Sequence, residues 1–296
     1  MAGLERVPCA LCGGTFTRPY VKKFGYRIVK CWRCGLVYCN PRLSADDTDK
    51  RYNAEYFHNE YLPSVRPPAG VDEGTFLDDR FRPSIGLLER SGTVKGRVLE
   101  IGTGAGFFLK AAARAGWDAH GLELSAEAAA YARNTLGLDV RQTPAEAMPF
   151  EAGSFDAAAM FEVIEHLRDP LAVLRAARRA VRPGGVLVLS TPNQNSVSRW
   201  VLGKQWAVLS PAEHLYYFTE RTLSATLIKA GFSRVEFVRE FEPWLLYETM
   251  NVRYTHAPES FRARVYRSLV FRYGPDRYRE IQRRGYADGL LAVAVA

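Results

Sequence analysis

The 296-residue chain is expected to be an α/β protein: a Rossmann-like seven-stranded sheet, a small cysteine-held ribbon at its N-terminus, and a helical insertion before the last strand. Three observations lead there. A strand, glycine turn and helix pattern begins at Val98 and repeats, as in a parallel sheet with crossover helices. A glycine-rich turn, Glu100-Ile-Gly102-Thr103-Gly104-Ala-Gly106, follows the first apolar strand directly. Two C-x2-C pairs lie in the first part of the chain, and all five cysteines precede residue 40.

Taken in order, residues 1–43 read as the ribbon, with short β-type runs at Tyr26 to Val29 and Leu36 to Tyr38. Residues 44–80 are polar and tyrosine-rich, interrupted by Pro63, Pro67, Pro68 and Gly70. They read as a linker with short helical pieces and a candidate cover for the site. Residues 81–296 form the main domain. Strands are predicted near Arg97 to Ile101, Asp118 to Glu123, Asp139 to Gln142, Phe155 to Phe161, Val186 to Thr191, Arg234 to Val238 and Leu290 to Val295. Ser125 caps a helix that Gly137 ends; Asp169-Pro170 starts another that stops at Pro183-Gly184-Gly185; a third runs from about Thr219 to Gly231. The insertion covers about residues 246–286.

Composition narrows the class. A hydrophobic content of 47% can supply a continuous core. No run of about 18 uncharged apolar residues occurs, and the first residues lack the pattern of a secretion signal, so the cytoplasm is the expected location. The net charge of +8 suits nucleic acid, an anionic membrane face or acidic metabolites, and between Asn251 and Tyr286 nine arginines face three acids.

Gly102 and Gly104 permit a sharp turn and close backbone approach to a ligand, and Gly106 lets a helix begin tight against the strand. Glu123 ends the next strand, where a carboxylate can accept both hydroxyl protons of a ribose. The acidic start of the turn, its G-x-G-x-G spacing and the downstream Ala145-Glu146-Ala-Met-Pro-Phe150 block resemble the class I methyltransferases rather than dinucleotide-binding folds. That resemblance implies S-adenosylmethionine as cofactor, with Glu100 facing its ammonium and sulfonium charges. It implies contacts from Gly102, Thr103, Gly104, Gly106, Glu123, Leu124, Ala145 and Glu146. Phe161 is either an adenine neighbour or plain core. Where the family commonly has an adenine-binding aspartate, this chain has Pro144.

The fourth strand runs into Glu162-Val-Ile-Glu165-His166. A helical turn there would place these three side chains on one face, and His214, in the long loop after the fifth strand, would meet them at the carboxyl edge of the sheet. Two carboxylates and two imidazoles suit Mg²⁺, Mn²⁺ or a related ion with positions open to substrate oxygens. The set is similar to the metal site of small-RNA 3′-end methyltransferases and ubiquinone-pathway O-methyltransferases. Two other readings stay open: a metal-free base at His166 or His214, and structural roles.

Cys9, Cys12, Cys31 and Cys34 form a C-x2-C, C-x2-C pattern with 18 residues between the pairs, suited to a closed, structural zinc site. Cys39 is a spare. A zinc ribbon ahead of a class I domain resembles bacterial methyltransferases of sugars, polyketides and other specialised metabolites, and some ribosomal-RNA methyltransferases share the feature. The expected function is therefore methyl transfer to a small-molecule hydroxyl, the acceptor being neutral, acidic or carrier-bound. RNA methylation, C- or N-methylation of a sugar or carrier-bound intermediate, and a non-catalytic docking protein are the alternatives. No RNA-recognition signature with interleaved aromatics stands out. Trp206, Tyr216, Tyr217, Trp244 and Tyr247 are candidate acceptor-pocket aromatics.

Overall fold

The computed structural model describes residues 3–45, 54–90, 95–239 and 257–296. Trp244, Tyr247 and the first part of the predicted insertion lie outside the described residues.

The main domain is a seven-stranded sheet built from β6 (Arg97–Ile101), β7 (Asp118–Glu123), β8 (Asp139–Gln142), β9 (Phe155–Phe161), β10 (Val181–Pro192), β12 (Arg234–Phe237) and β13 (Gly289–Val295). Its order is β12-β13-β10-β9-β6-β7-β8. The pairs from β10 to β8 are parallel, and β13 runs antiparallel to both of its neighbours. The predicted seven strands thus close into the expected sheet.

Strand alternation decides what covers each face. On one face Val98, Ala157, Ala159 and Val188 pack against Leu77, Ile85 and Leu88 of helix α1 (Glu73–Arg90) and Phe107 and Phe108 of α2 (Phe107–Arg114). On the other, Leu99, Ala158, Met160, Leu187 and Leu189 meet Val173, Leu174 and Ala177 of α4 (Pro170–Ala180) and Leu223 and Leu227 of α6 (Glu220–Ala230). Each buried Val, Leu, Ile, Met or Phe among these stabilises the fold by roughly 1.5–3 kcal/mol, and each alanine by less. Further helices include α3 (Ala126–Asn134), capped by Ser125 as predicted, α5 (Val197–Leu202) and α7 (Phe261–Arg283), which occupies the second half of the predicted insertion; shorter helical turns lie at Ala54–Tyr56, Phe57–Tyr61, Leu62–Val65 and Gly203–Gln205.

Two boundaries differ from expectation. Helix α1 starts at Glu73, so it crosses residue 81, where the main domain was expected to begin. Asp72 caps it by accepting from the Thr75 amide at 2.9 Å, and burial of Leu77 and Leu88 holds it together through Pro83. Helix α4 ends at Ala180, not at Pro183-Gly184-Gly185. Val181 is already extended, and a register shift between Val181 and Val186 absorbs the proline and glycines within β10.

The ribbon consists of β1 (Leu4–Glu5), β2 (Thr17–Lys23), β3 (Tyr26–Cys31), β4 (Val37–Cys39) and β5 (Arg42–Leu43). Its sheet has a fourth strand that the N-terminal sequence does not contain. β11 (Tyr216–Tyr217), from the loop after β10, pairs antiparallel with β4, giving the order β11-β4-β3-β2. Both faces of this sheet are packed: Val29 and Tyr38 join the core under α4 and α6, whereas Ile28, Val37 and Cys39 pack with Leu202, Trp206 and Tyr217. Among the described residues no helix is long and apolar enough to cross a membrane.

Candidate active site

The β6–α2 turn is shaped by what crowds it. Gly102 has φ +75°, and a side chain there would strike Val163 Cγ2 at 2.5 Å; Gly104 has φ +55° and faces the Tyr61 hydroxyl in the same way. Only glycine fits both the backbone and the space. Gly106, at φ +89°, caps α2, and Thr103 Oγ1 lies 3.3 Å from both the Glu100 carbonyl of the turn and the Leu122 carbonyl of β7. Glu123 closes the arrangement, its two carboxylate oxygens accepting from the Gly104 and Ser125 amides at 2.7 and 2.8 Å.

Glu100 is buried, and its Oε2 has no hydrogen-bond partner among the described residues. Burial first, and the nearby Glu123 charge second, push its carboxyl well above the ordinary range. Burial likewise raises Glu123 against the opposing pull of three backbone amides. An orphaned, buried carboxylate at this turn calls for a cationic partner. The ammonium and sulfonium of S-adenosylmethionine fit that demand; a pyrophosphate does not.

The other predicted cofactor contacts are less enclosed. Leu124 is exposed, Glu146 is exposed and Ala145 is half-buried, while the Thr143 amide ties this segment to the Glu123 carbonyl at 2.9 Å. Phe161 packs edge-to-face on Phe108 at 4.7 Å, a position that serves the core. Sequence reading missed Tyr61. It lies in a π-type turn, Phe57–Tyr61, and its hydroxyl is raised in pKa by burial and by the Glu123 and Glu100 charges. Its place among several tyrosines of a polar stretch carried no distinguishing signal.

At the end of β9 the expected helical turn does not form. Glu162 takes φ +54°, and the chain then makes a tight turn closed by the His166 amide on the Val163 carbonyl at 2.9 Å. A non-glycine residue in the left-handed region stores backbone strain of about 1–3 kcal/mol. The consequence is that Glu162 and Glu165 point to different partners: Ser190 Oγ donates to Glu162 Oε1 at 2.7 Å, and Thr191 Oγ1 to Glu165 Oε2 at 2.9 Å.

Three of the four predicted metal ligands come together. One ligand atom each from Glu165, His166 and His214 lies within 4.8 Å of the others, and Glu162 is outside that group. His166 and His214 pack edge-to-face with ring centroids 4.6 Å apart. Nδ1 of His166 lies 3.1 Å from the Glu213 carbonyl and Nδ1 of His214 lies 2.8 Å from the Val208 carbonyl. A carbonyl only accepts, so both Nδ1 atoms carry the proton and both Nε2 atoms present lone pairs. His166 Nε2 stands 3.9 Å from Glu165 Oε1, which is buried without a hydrogen-bond partner among the described residues.

Burial, then the neighbouring His214, lowers His166 to about 3; burial lowers His214 as well. Burial raises Glu162, and burial together with the Glu162 charge raises Glu165. Glu165 and the two neutral imidazoles, each disfavouring its own charge, form a three-ligand donor set whose chemistry fits a divalent cation.

In the ribbon, the four Sγ atoms of Cys9, Cys12, Cys31 and Cys34 lie within 4.8 Å of one another, with Cys9–Cys34 and Cys12–Cys31 at 3.4 and 3.5 Å. A tetrahedron of Zn–S bonds of about 2.3 Å has edges near 3.8 Å, so the cluster fits a structural zinc. Of the candidate acceptor aromatics, Trp206, Tyr216 and Tyr217 are buried in the core and the ribbon sheet, which removes them from an open pocket wall.

A Methyltransferase domain family model matches residues 76–236, more than half of the chain. The chain belongs to this methyltransferase family. Among curated relatives, a ubiquinone biosynthesis O-methyltransferase of Pseudomonas aeruginosa (strain UCBPP-PA14) is 39% identical over 113 residues, 36% of this chain and 49% of the relative. Another of that description, from Psychrobacter arcticus, is 32% identical over 186 residues, 56% of this chain and 72% of its own length. The chain thus spans about half the length of the Pseudomonas relatives it matches.

Solved structures share the methyltransferase fold. A S-adenosylmethionine-dependent methyltransferase of Thermotoga maritima superposes with a TM-score of 0.51 at 22% identity, covering 81% of this chain and 99% of its own. Phosphoethanolamine N-methyltransferase 2 of Haemonchus contortus, in complex with S-adenosylmethionine, gives 0.53 at 18% identity, covering 82% and 59%.

Proposed function

We propose that this protein transfers the methyl group of S-adenosylmethionine to a hydroxyl of a small-molecule acceptor, at a site where Glu165, His166 and His214 hold a divalent cation, Mg²⁺ or Mn²⁺. The observation that carries the reading is the orphaned Glu165 Oε1 beside two imidazoles whose Nε2 atoms are held as acceptors. When bound, the cation would supply Lewis acidity, lowering the pKa of an acceptor hydroxyl. The chain's own work is alignment: Glu100 and Glu123 fix the methyl donor beside the Val163 turn, which carries His166, and His214 joins it from the loop after β10.

A metal-free base is the weaker reading. An imidazole whose conjugate acid titrates near 3 is a poor acceptor for a hydroxyl proton, yet a neutral Nε2 is the form that ligates metals. The names of the ubiquinone-pathway relatives support an oxygen acceptor of small size. The test is transfer of labelled methyl from S-adenosylmethionine to a panel of catechols, their phosphorylated or carboxylated forms, carrier-bound hydroxy-thioesters, amines and RNA. The protein would first be treated with a chelator mild enough to spare the ribbon zinc, which metal analysis would verify. Transfer to a hydroxyl that stops on chelation and returns with Mg²⁺ or Mn²⁺ is expected. Full transfer in excess chelator would overturn the metal site, and transfer only to amines or RNA would overturn the acceptor.

A further inference from the structure

We propose that the zinc ribbon is a positioning element of the active site, holding the loop of residues 206–217 at both ends so that His214 faces Glu165 and His166. The inference rests on the reading of His214 as a site residue.

At the far end, Cys39 N donates to the Leu215 carbonyl at 2.9 Å, and β4 continues this as a ladder, Tyr38 opposite Tyr216 and Val37 opposite Tyr217. Cys39 Sγ sits 3.4 Å from the His214 carbonyl and 3.5 Å from that of Pro211. β11 is simultaneously tied to the catalytic turn, because the Leu215 and Tyr216 amides both donate to the Glu165 carbonyl at 2.8 and 3.1 Å. The strand joining the ribbon to the site is therefore the one that bridges His214 to Glu165.

At the near end, Lys23 of β2 is buried, and its Nζ donates to the Trp206 carbonyl at 2.6 Å. Trp206 is itself fully buried, and its carbonyl also accepts from the Leu209 amide, which turns the chain toward Val208. The Val208 carbonyl then accepts a hydrogen bond from His214 Nδ1. A buried ammonium is costly unless its protons are used, so Lys23 is placed at this carbonyl for a structural purpose, and that purpose ends at the His214 tautomer. Tyr20 adds a third tie, accepting from Gln194 Nε2 at 2.7 Å just beyond β10.

Lys23 is thus a positioning residue, joined to the imidazole through three hydrogen bonds. The test uses full-length protein labelled with ¹⁵N-histidine, reading the ring N–H signals, with the His214 signal assigned by a His214→Asn variant. In wild type His214 shows a protected Nδ1–H. In Lys23→Met that signal is expected to broaden or vanish and kcat to fall ~10-fold or more, with KM for S-adenosylmethionine and zinc content unchanged. Lys23→Arg restores the signal, and Lys22→Met, on an exposed neighbour, leaves everything unchanged. An unaltered His214 signal in folded Lys23→Met overturns the proposal, whether or not kcat changes.

Should Lys23→Met fail to fold, amide hydrogen exchange of the wild-type chain before and after stripping the ribbon metal decides. Exchange at residues 214–217 is expected to accelerate by ~10-fold or more while β6, β9 and β10 keep their rates. Unchanged rates at 214–217 overturn the coupling. Neither the His214 ring signal nor the exchange rates need an acceptor or the second cation, so these two readouts stand apart from the fate of the methyl-transfer reading.

Discussion

His166 and His214 meet edge-to-face with ring centroids 4.6 Å apart, and each commits its Nδ1 proton to a backbone carbonyl. The pairing fixes both tautomers from outside the site, so the lone pairs that matter are set by the Val208 and Glu213 carbonyls rather than by pH.

Glu100→Gln should weaken S-adenosylmethionine binding by ~10–100-fold, about 1.4–2.7 kcal/mol, measured by calorimetry. The same substitution should raise the melting temperature of the ligand-free protein, because it removes a buried carboxyl that Glu123 repels. The sign of the pH dependence follows. On the proposed role of Glu100 and Glu123, binding needs their ionised carboxylates, whose pKa values are raised, so affinity is expected above those raised values and is lost as pH falls through them, earlier than for ordinary carboxylates.

Gly104→Ala should abolish cofactor binding and destabilise the fold by about 1–3 kcal/mol, because the left-handed backbone is strained and the new methyl meets the Tyr61 hydroxyl. Adding Tyr61→Ala removes the clash and leaves the backbone strain. The double variant should therefore regain only part of the lost stability in chemical denaturation.

Cys34→Ser should release the ribbon zinc and cost several kcal/mol of stability, read as a lower melting temperature together with free zinc in a colorimetric assay. Because Tyr38 of β4 belongs to the main core, the loss should appear in the global transition and not as separate local melting.

Asp288 is buried, and burial, opposed by hydrogen bonds from Ser198, Ser196 and Tyr266, raises its carboxyl to about 6. A raised carboxyl favours folding when protonated. Its contribution is present below the ordinary carboxylate value and is lost as pH rises through about 6. Asp288→Asn should therefore gain on wild type between pH 4 and 7 by up to about 3 kcal/mol, measured by denaturation at a series of pH values.

What the sequence made legible was local. The glycines of the first turn announce themselves because Val163 and Tyr61 leave no room for a side chain, and the seven strands are bounded by ordinary caps and turns. Spacing misled at Glu162, where i, i+3 and i+4 counting presumes a helix and the chain instead enters the left-handed region. β11 was invisible because two residues carry no periodicity, and their pairing with β4 is some 180 residues distant. Charge was also read too narrowly. Residues 1–43 hold eight cations, Arg6, Arg18, Lys22, Lys23, Arg27, Lys30, Arg33 and Arg42, against Glu5 alone, and one of them, Lys23, is the buried tie to Trp206. No window of sequence distinguishes that lysine from its exposed neighbour Lys22.

Mn²⁺ titration of the zinc-loaded protein, followed by electron paramagnetic resonance, decides whether Glu165, His166 and His214 form one cation site. One Mn²⁺ should bind beyond the ribbon metal, should be lost in His214→Ala and Glu165→Gln, and should survive with reduced affinity in Glu162→Gln, whose carboxylate lies outside the three-ligand group. Folded wild-type protein that binds S-adenosylmethionine but no Mn²⁺ would rule out the three-ligand cation site.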